Sequence, residues 1–575
     1  MSVFNEEALR KLIKEEMLQV LESLPTQTNA PSEAQITHNI AMIGHEAILL
    51  KQGDYKPIQD ILRKFAVPTK TSDDANVAEI SKISLWKAAE LGLTADEVIN
   101  FLNLHTKSDL SKSLRNYISR TMSSYGALRI EGEDTYNVLV SVDEDVMKRV
   151  LDYSVVKNHI YKTLTPTKAR ITSGHRAALK QILLDKGYPV KDFGLIDESP
   201  PFKIQLRSAF TPYPHQLEAV EKFIALGNGV VDLPPGSGKT MIGVMATCKL
   251  QAWTLFITNR GNLCEQIKAE YLAHTDISSS NIATLHSGSK DEFHKPVTIV
   301  TYSMLTTSKK RYIKDIFKTK WGLIIFDECQ HVPADVWRQS AEEIQAYRKL
   351  GLTATPVREN LKAEKEIFAL IGPPIISIGW IPMAEEGYIS EAITYEVLVA
   401  MSPASKKAYN TAHSEFQKII AASVNSEKIN IVEKLLEQHK DKQVVILSFY
   451  KENALKLSKK FGIQIVTGDT AMSKREPIYE SFRRGEIKQL ILTSVGEDGV
   501  DLPNASVGIN IDGLYGSRMG FSQRLGRILR PKDEVAIFYE LVSEGTSEED
   551  FSNQRRSYLV GQGYDFDTID MTGVS

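Results

Sequence analysis

"GVVDLPPGSGKTMI", residues 229–242, sets the reading of the whole chain. Its first half is a short β-branched run, and its second half opens an apolar helix at Thr240. A glycine-rich turn lies between them. Strand, glycine-rich turn and helix in that order place successive backbone N–H groups and a helix N-terminus around phosphates. The general pattern is G-x-x-x-x-G-K-[ST]. Gly238, Lys239 and Thr240 fill its end, while Leu233 stands where the leading glycine would be. Gly236 and Gly238 still allow the backbone to approach closely, so Pro235, Gly236, Ser237 and Gly238 form the expected cradle for ATP. Lys239 is expected to reach the β- and γ-phosphates, and Thr240 to ligate Mg²⁺.

A strand ending in acids should follow such a loop. "LIIFDECQH" supplies it, with Asp327 and Glu328 at its end. A surface acidic pair is the plainer reading, but the apolar run before the acids argues against exposure. Asp327 is therefore expected to hold Mg²⁺, and Glu328 to polarise the attacking water.

The same grammar extends outward from residue 206. "GVVDL", "TLFIT", "VTIVT", "GLIIFD" and "KLGLTAT" alternate with helical segments, and so do "QVVILSF", "IQIVTG", "QLILTS", "VGINID" and "VAIFYEL". Strands alternating with helices indicate parallel α/β sheets. The expected fold is α/β, with two tandem RecA-like parallel-sheet lobes and an α+β N-terminal region. Lobe 1 is expected at 206–375 and lobe 2 at 376–575.

The first 205 residues read differently. Apolar residues from Leu9 to Leu24 recur at helical spacing, so 1–75 is expected to be a helical extension with linkers near 25–35 and 67–76. That helix either packs on its own domain or binds a partner. Residues 76–145 pattern as three helices and a hairpin, with Thr94 and Glu97 forming a capping box. This winged-helix-like order suits duplex DNA binding and protein docking equally. Residues 146–205 form a further α+β segment.

Composition excludes several classes. The chain has 575 residues and a net charge of −3, so no global charge announces a nucleic acid or a membrane. Cys248, Cys264 and Cys329 lie far apart, which argues against a disulfide framework, a zinc ribbon or an Fe–S cluster. No apolar run reaches the roughly 18 residues of a membrane span.

The acid box, "GLTATP" and "QRLGRILR" together resemble superfamily 2 helicases, in which the phosphate loop often lacks its first glycine. "GLTATPVREN", "YEVLVAMSPASKKAYNTAHSEF" and "YELVSEGTSEEDFSNQRRSYLVGQGYDF" resemble the XPB-type (xeroderma pigmentosum group B) DNA repair helicases, the second stretch matching a small thumb inserted at about 401–428. Residues 84–205 resemble the damage-recognition region of prokaryotic members. The first 80 residues carry no resemblance.

This resemblance implies further roles. Gln216 would read adenine. Thr353 and Thr355 would couple ATP state to lobe movement. Gly499, Asp501, Gln523, Arg527 and Arg530 would complete the ATP site, the two arginines acting on transition-state charge. DNA would be held by Arg260, Thr301, Ser303, Arg358, Ser448, Gly468 and Thr493. Two departures stand out. The family's Arg-Glu-Asp triplet is Arg358-Glu359-Asn360, and its Asp-Glu-Val-His box is Asp-Glu-Cys-Gln.

The expected function is an ATP-dependent DNA helicase or duplex translocase, 3′→5′ by resemblance, acting in repair, recombination or fork processing on forked, distorted or duplex DNA. An ATPase scaffold that remodels a repair or transcription complex is one alternative, and an RNA helicase another. A repair or transcription protein is an expected partner. The expected location is cytoplasmic, either nucleoid-associated or in the cytosol of a virus-infected cell, and nuclear in a eukaryote.

Overall fold

The computed structural model describes residues 38–51, 55–71, 75–194, 199–289, 294–305, 311–333, 338, 341, 344, 346–354, 361–390, 392–493, 505–512, 535–562 and 566–570. The chain divides into two compact units whose main changeover is at Ser377 and Ile378, with 68–76 and 233–237 grouped with the second.

The described residues begin with a four-stranded sheet. Its strands are β1 (Ile40–Ile43), β2 (Glu46–Leu50), β3 (Val67–Thr71) and β4 (Ala75–Glu79), in the order β1-β2-β4-β3. Helix α1 (Lys56–Phe65) separates β2 from β3. The expectation of a helical extension through residue 75 is therefore corrected over 38–75. Ala47 and Leu49 are buried between more exposed neighbours, a period-2 pattern that helical spacing arguments pass over. The amphipathic stretch at 9–24 lies outside the described residues.

Three helices complete this core: α2 (Lys82–Glu90), α3 (Ala95–His105) and α4 (Lys112–Ser124). Ser81 caps α2, and the Thr94–Glu97 capping box starts α3. One hydrophobic cluster runs from Ile40 to Met122. A second core starts at Ala127 and extends to Val190. It underlies a five-stranded sheet of β5 (Leu128–Glu133), β6 (Tyr136–Ser141), β7 (Ile160–Thr165), β8 (Lys168–Ile171) and β9 (Val190–Phe193), in the order β7-β8-β6-β5-β9. Helices α5 (Glu144–Leu151) and α6 (Arg176–Asp185) belong to it. The break between cores therefore falls near 125. The β5–β6 hairpin, expected to follow its three helices as a wing, joins the second core instead.

Both N-terminal cores belong with the first lobe. Trp86 of α2 meets Phe368 of helix α10 (Leu361–Leu370; α7 to α9 are defined below), with ring centroids 6.3 Å apart. Ile83, Leu184 and Ala369 close the cluster. Burial of each large apolar side chain contributes about 1.5–3 kcal/mol. The following segment runs along the lobe. Phe202 donates its N–H to Gln251 O at 2.7 Å, and Arg207 donates to His274 O at 2.9 Å.

Lobe 1 is a seven-stranded parallel sheet. Its strands are β10 (Asn228–Asp232), β11 (Thr254–Thr258), β12 (Ile282–Leu285), β13 (Val297–Thr301), β14 (Trp321–Asp327), β15 (Ala346–Thr353) and β16 (Pro374–Ser377), in the order β12-β13-β11-β14-β15-β10-β16. Helices α7 (Pro214–Leu226), α8 (Lys239–Leu250) and α9 (Gly261–His274) pack with it.

The second unit holds the second parallel sheet. Its strands are β17 (Ala392–Val399), β18 (Val444–Ser448), β19 (Gln464–Val466), β20 (Gln489–Thr493), β21 (Val507–Asn510), β22 (Ala536–Ser543) and β23 (Phe566–Asp570), in the order β19-β20-β18-β21-β22-β17-β23. Helices Pro403–Asn410 and Glu415–Ser423 lie within the expected thumb stretch. Helix α11 (Ser547–Gln562) is tied to the sheet by buried charge. Glu548 accepts from Lys428 Nζ at 2.7 Å, Ser423 Oγ at 3.0 Å and Ser543 N at 2.9 Å. Arg555 pairs with Glu540, both almost fully buried. The expected α/β class with two parallel-sheet lobes is borne out.

Candidate nucleotide site and strand contacts

In an open parallel sheet the ligand crevice lies beyond the C-terminal ends of the strands. In lobe 1 those ends carry Asp232, Thr258, Thr301, Asp327 and Thr353. The glycine-rich loop joins β10 to α8 at this edge. Leu233 is fully buried, so its side chain anchors the loop's start. Ser237 closes the turn by donating its hydroxyl to Pro234 O at 2.8 Å. Gly236 and Gly238 take φ of 88° and 77°, which side chains disfavour. A Cβ on Gly238 would overlap the Gln216 amide nitrogen. That amide donates to Gly238 O at 3.2 Å, while Gln216 Oε1 accepts from Tyr213 N at 3.0 Å. Gln216 is buried. In this structure both ends of its amide engage the protein, and they brace the loop. Pro235, Lys239 and Thr240 are half-buried.

The acid box sits on neighbouring elements. Thr258 Oγ1 donates to Asp327 Oδ2 at 3.1 Å, and Tyr302 OH donates to Asp327 O at 3.0 Å. Burial, with Glu328 beside it, holds the Asp327 carboxyl well above the ordinary carboxylate range, against the pull of Lys239 and Thr258. Two half-buried carboxyl groups side by side offer the oxygen donors that a hard divalent cation takes. Glu328 has φ 49°, ψ 49°, a left-handed conformation unusual for a residue with a side chain. Gln330 Nε2 donates to Glu328 Oε2. Its other end, Oε1, accepts from Thr353 Oγ1 at 2.7 Å. One side chain thus joins the acid box to the "GLTAT" strand. Thr258, Tyr302 and Gln330 escaped the sequence reading, although Gln330 is the fourth letter of the box.

The cysteine in the box has a packing reason. A Cβ on Gly351 would lie 3.0 Å from Cys329 Sγ, so the thiol fills the space beside that glycine. Cys329 is fully buried, and burial pushes its thiol well above the usual range. Burial likewise pushes Cys248 and Cys264 up to about 12, with Asp276 and Glu265 adding to the effect.

The expected strand contacts divide into two groups. Arg260, Ser303 and Gly468 are exposed. Thr301 and Thr493 are buried at strand ends, and the Thr301 hydroxyl is 3.1 Å from that of Ser303. Ser448 is fully buried and donates to Asp512 Oδ2 at 2.5 Å. The enclosed hydroxyl braces the turn that follows β18. Asp512 also accepts from Phe449 N and Tyr450 N, which shapes the "SFY" turn. Arg475 does the same for the "TGDT" turn, donating to Thr470 O at 2.7 Å and Gly468 O at 3.0 Å. Thr355, Arg358, Gly499, Asp501, Gln523, Arg527 and Arg530 lie outside the described residues. No helix among the described residues is long and apolar enough to cross a membrane.

Known proteins resemble all three regions. The family described as ERCC3/RAD25/XPB C-terminal helicase matches residues 383–574. The type III restriction enzyme res subunit family matches 209–358, and a helicase conserved C-terminal domain matches 43–165. The DNA 3′-5′ helicase XPB of Kineococcus radiotolerans is 33% identical over 88% of this chain and 91% of its own length. That of Mycobacterium tuberculosis is 33% identical over 88% of this chain and 94% of its own. The general transcription and DNA repair factor IIH helicase/translocase subunit XPB of Enterocytozoon bieneusi is 29% identical over 89% and 88%. With relatives this similar over nearly their whole length, the chain belongs to the XPB helicase family.

Proposed function

We propose that this chain is an ATP-driven 3′→5′ DNA helicase or duplex translocase of DNA repair, with its ATP site on lobe 1. Membership of the XPB family makes it a DNA helicase, and hence an ATP hydrolase. What supports the placement is that Lys239, at the start of α8, and Asp327, at the end of β14, stand at the same edge of the lobe 1 sheet, where the ammonium pulls on the Asp327 carboxyl.

In this reading Pro235 to Gly238 cradle the phosphates with backbone N–H groups, and Lys239 binds them with its ammonium. Thr240 and Asp327 would hold Mg²⁺, which neutralises phosphate charge when bound. Glu328 orients and polarises the attacking water, held in place by Gln330. Thr353 reads the state of the acid box through the same glutamine. Arg527 and Arg530 supply positive charge to the transition state, and Gly499, Asp501 and Gln523 support them. The exposed Arg260, Ser303 and Gly468 grip the DNA backbone. Such contacts go to phosphates, so sequence is not read. A protein partner is also part of the proposal, by analogy with the relative named as a subunit of factor IIH.

The test is ATP binding and turnover with forked, duplex and single-stranded DNA and with RNA. Lys239→Ala and Glu328→Gln should both abolish turnover, yet Glu328→Gln should still bind ATP. Arg527→Ala and Arg530→Ala should each lower kcat by roughly 10³-fold. Turnover of Glu328→Gln within tenfold of wild type would show that another group activates the water.

A further inference from the structure

Three strands of lobe 1 end side by side, in the order β13-β11-β14. Strand β11 leads into Arg260 and β13 into Ser303, both exposed and both given to the DNA backbone above. Strand β14 ends at Asp327. Two hydroxyls join these ends. Thr258, the last residue of β11, donates to Asp327 Oδ2 at 3.1 Å. Tyr302, which follows β13, reaches past β11 and donates to Asp327 O at 3.0 Å. The side chain and the main chain of one acid-box residue are thus each held from a segment that leads to DNA.

The Tyr302 bond falls on a sensitive peptide. Asp327 O belongs to the peptide group that precedes Glu328, and Glu328 has φ 49°. A left-handed residue with a side chain is strained and persists only where its surroundings fix it. The φ torsion of Glu328 turns about the bond that leaves this peptide, so a shift of the Tyr302 hydroxyl re-aims the Glu328 carboxylate. Tyr302 is fully buried in the apolar cluster that also holds Phe326 and Cys329. A ring so enclosed follows its own backbone instead of swinging freely. A phenylalanine would fill the same core, so the hydroxyl is what sets Tyr302 apart. On the opposite flank of β14, Gln330 and Thr353 hold the Glu328 carboxylate from β15.

We propose that Tyr302 and Thr258 are positioning residues through which DNA held at Ser303 and Arg260 sets the aim of Asp327 and Glu328. The proposal rests on the DNA-helicase reading above. Ser303 adjoins Tyr302, and Arg260 lies two residues beyond Thr258. A phosphate that draws on either segment therefore moves a hydroxyl bonded to Asp327. The path lies within one sheet and needs no movement between lobes. It is also separate from the Thr353–Gln330 link, which meets the acid box from the other side.

The test compares ATP turnover by the full-length chain with and without saturating forked DNA, and reads the ratio of the two kcat values. Tyr302→Phe removes one oxygen and keeps the ring. It should lower the ratio by roughly tenfold, with KM for ATP and DNA affinity near wild type. Thr258→Val should lower the ratio too, and Thr258→Ser, which keeps the hydroxyl, should restore it. In binding, the fold change in DNA affinity brought about by a non-hydrolysable ATP analogue should shrink towards one in Tyr302→Phe. Tyr271→Phe is the stability control. It strips a buried hydroxyl of the same lobe that lies 2.7 Å from Thr247 Oγ1, so it should lower the melting temperature to a similar extent and keep the full ratio. A ratio that falls equally in Tyr271→Phe would mean a general loosening of the lobe and overturn the proposal. A wild-type ratio in Tyr302→Phe overturns it alone. Wild-type turnover that ignores DNA sinks the helicase reading and this proposal together, a separate and recognisable result.

Discussion

Gly238 answers to two constraints at once. Its φ of 77° costs any side-chain-bearing residue about 1–2 kcal/mol. Its missing Cβ also leaves the room in which Gln216 reaches the loop carbonyl. Gly238→Ala should therefore destabilise lobe 1 by roughly 2–3 kcal/mol, adding the lost hydrogen bond to the backbone strain. Gly238→Ala with Gln216→Ala removes the overlap but keeps the strain, so it should not fall by the sum of the two single changes. Urea unfolding of the four proteins measures this. Strict additivity would mean that the two residues do not touch. At this scale the sequence was most informative where chemistry is local. The glycines, Lys239, Asp327 and Glu328 stand in one short pattern each. Gln330 was missed, and the bracing contacts of Gln216 and Ser448 were not foreseen, because a side chain's partner, not its type, decides what it touches. Ser448 has the chemistry to contact DNA, and the fold turns its hydroxyl to Asp512.

Helix α11 illustrates how an element can depend on a buried charge. Glu548 and Lys428 are each about 97% enclosed, so removing one partner strands the other. Lys428→Met should cost about 3–5 kcal/mol and loosen α11 from β22. Lys428→Met with Glu548→Met should recover part of that loss, because no charge is then left in the interior. Chemical denaturation separates the cases, and a Lys428→Met protein as stable as wild type would mean that the pair is solvated. The strands of both lobes show why some elements are legible and others are not. Those buried on both faces read as unbroken apolar runs, such as "TLFIT" and "VVILS". Missed strands β12, β16 and β23 are short edge members of their sheets, and β23 carries two aspartates, whereas β17 was missed inside its sheet, where Thr394 and Glu396 interrupt its apolar run. The paired β1 and β2 were missed for another reason: their alternating residues sit where the helical pattern upstream had set the expectation.

At the scale of the molecule, the N-terminal cores are not loosely tethered. Trp86 and Phe368 are distant in sequence and meet in one cluster, and residues 199–207 run along lobe 1. No local pattern in either segment announces such a contact. Removal of residues 1–205 would bare Phe368 and Ala369 and cut the bridge at Pro201. The shortened motor should melt at a lower temperature than the full chain and aggregate more readily. Trp86→Ala in the full chain should show the same trend, at about 3–5 kcal/mol. Calorimetry of the three proteins decides it, and equal melting temperatures would make the N-terminal cores an independent appendage.

The enclosed thiols of lobe 1 have a practical side. Cys248, Cys264 and Cys329 are the chain's only cysteines, and burial keeps every one protonated. At neutral pH a thiol pushed up to about 12 is ionised to only about one part in 10⁵, and the thiolate is the form that maleimides attack. The wild-type chain should therefore react slowly with such dyes, the half-buried Cys248 being the thiol to check by labelling at neutral pH. Two cysteines introduced at exposed positions would carry a donor and an acceptor without stripping out the native three, and single molecules could be followed by fluorescence through each cycle of ATP.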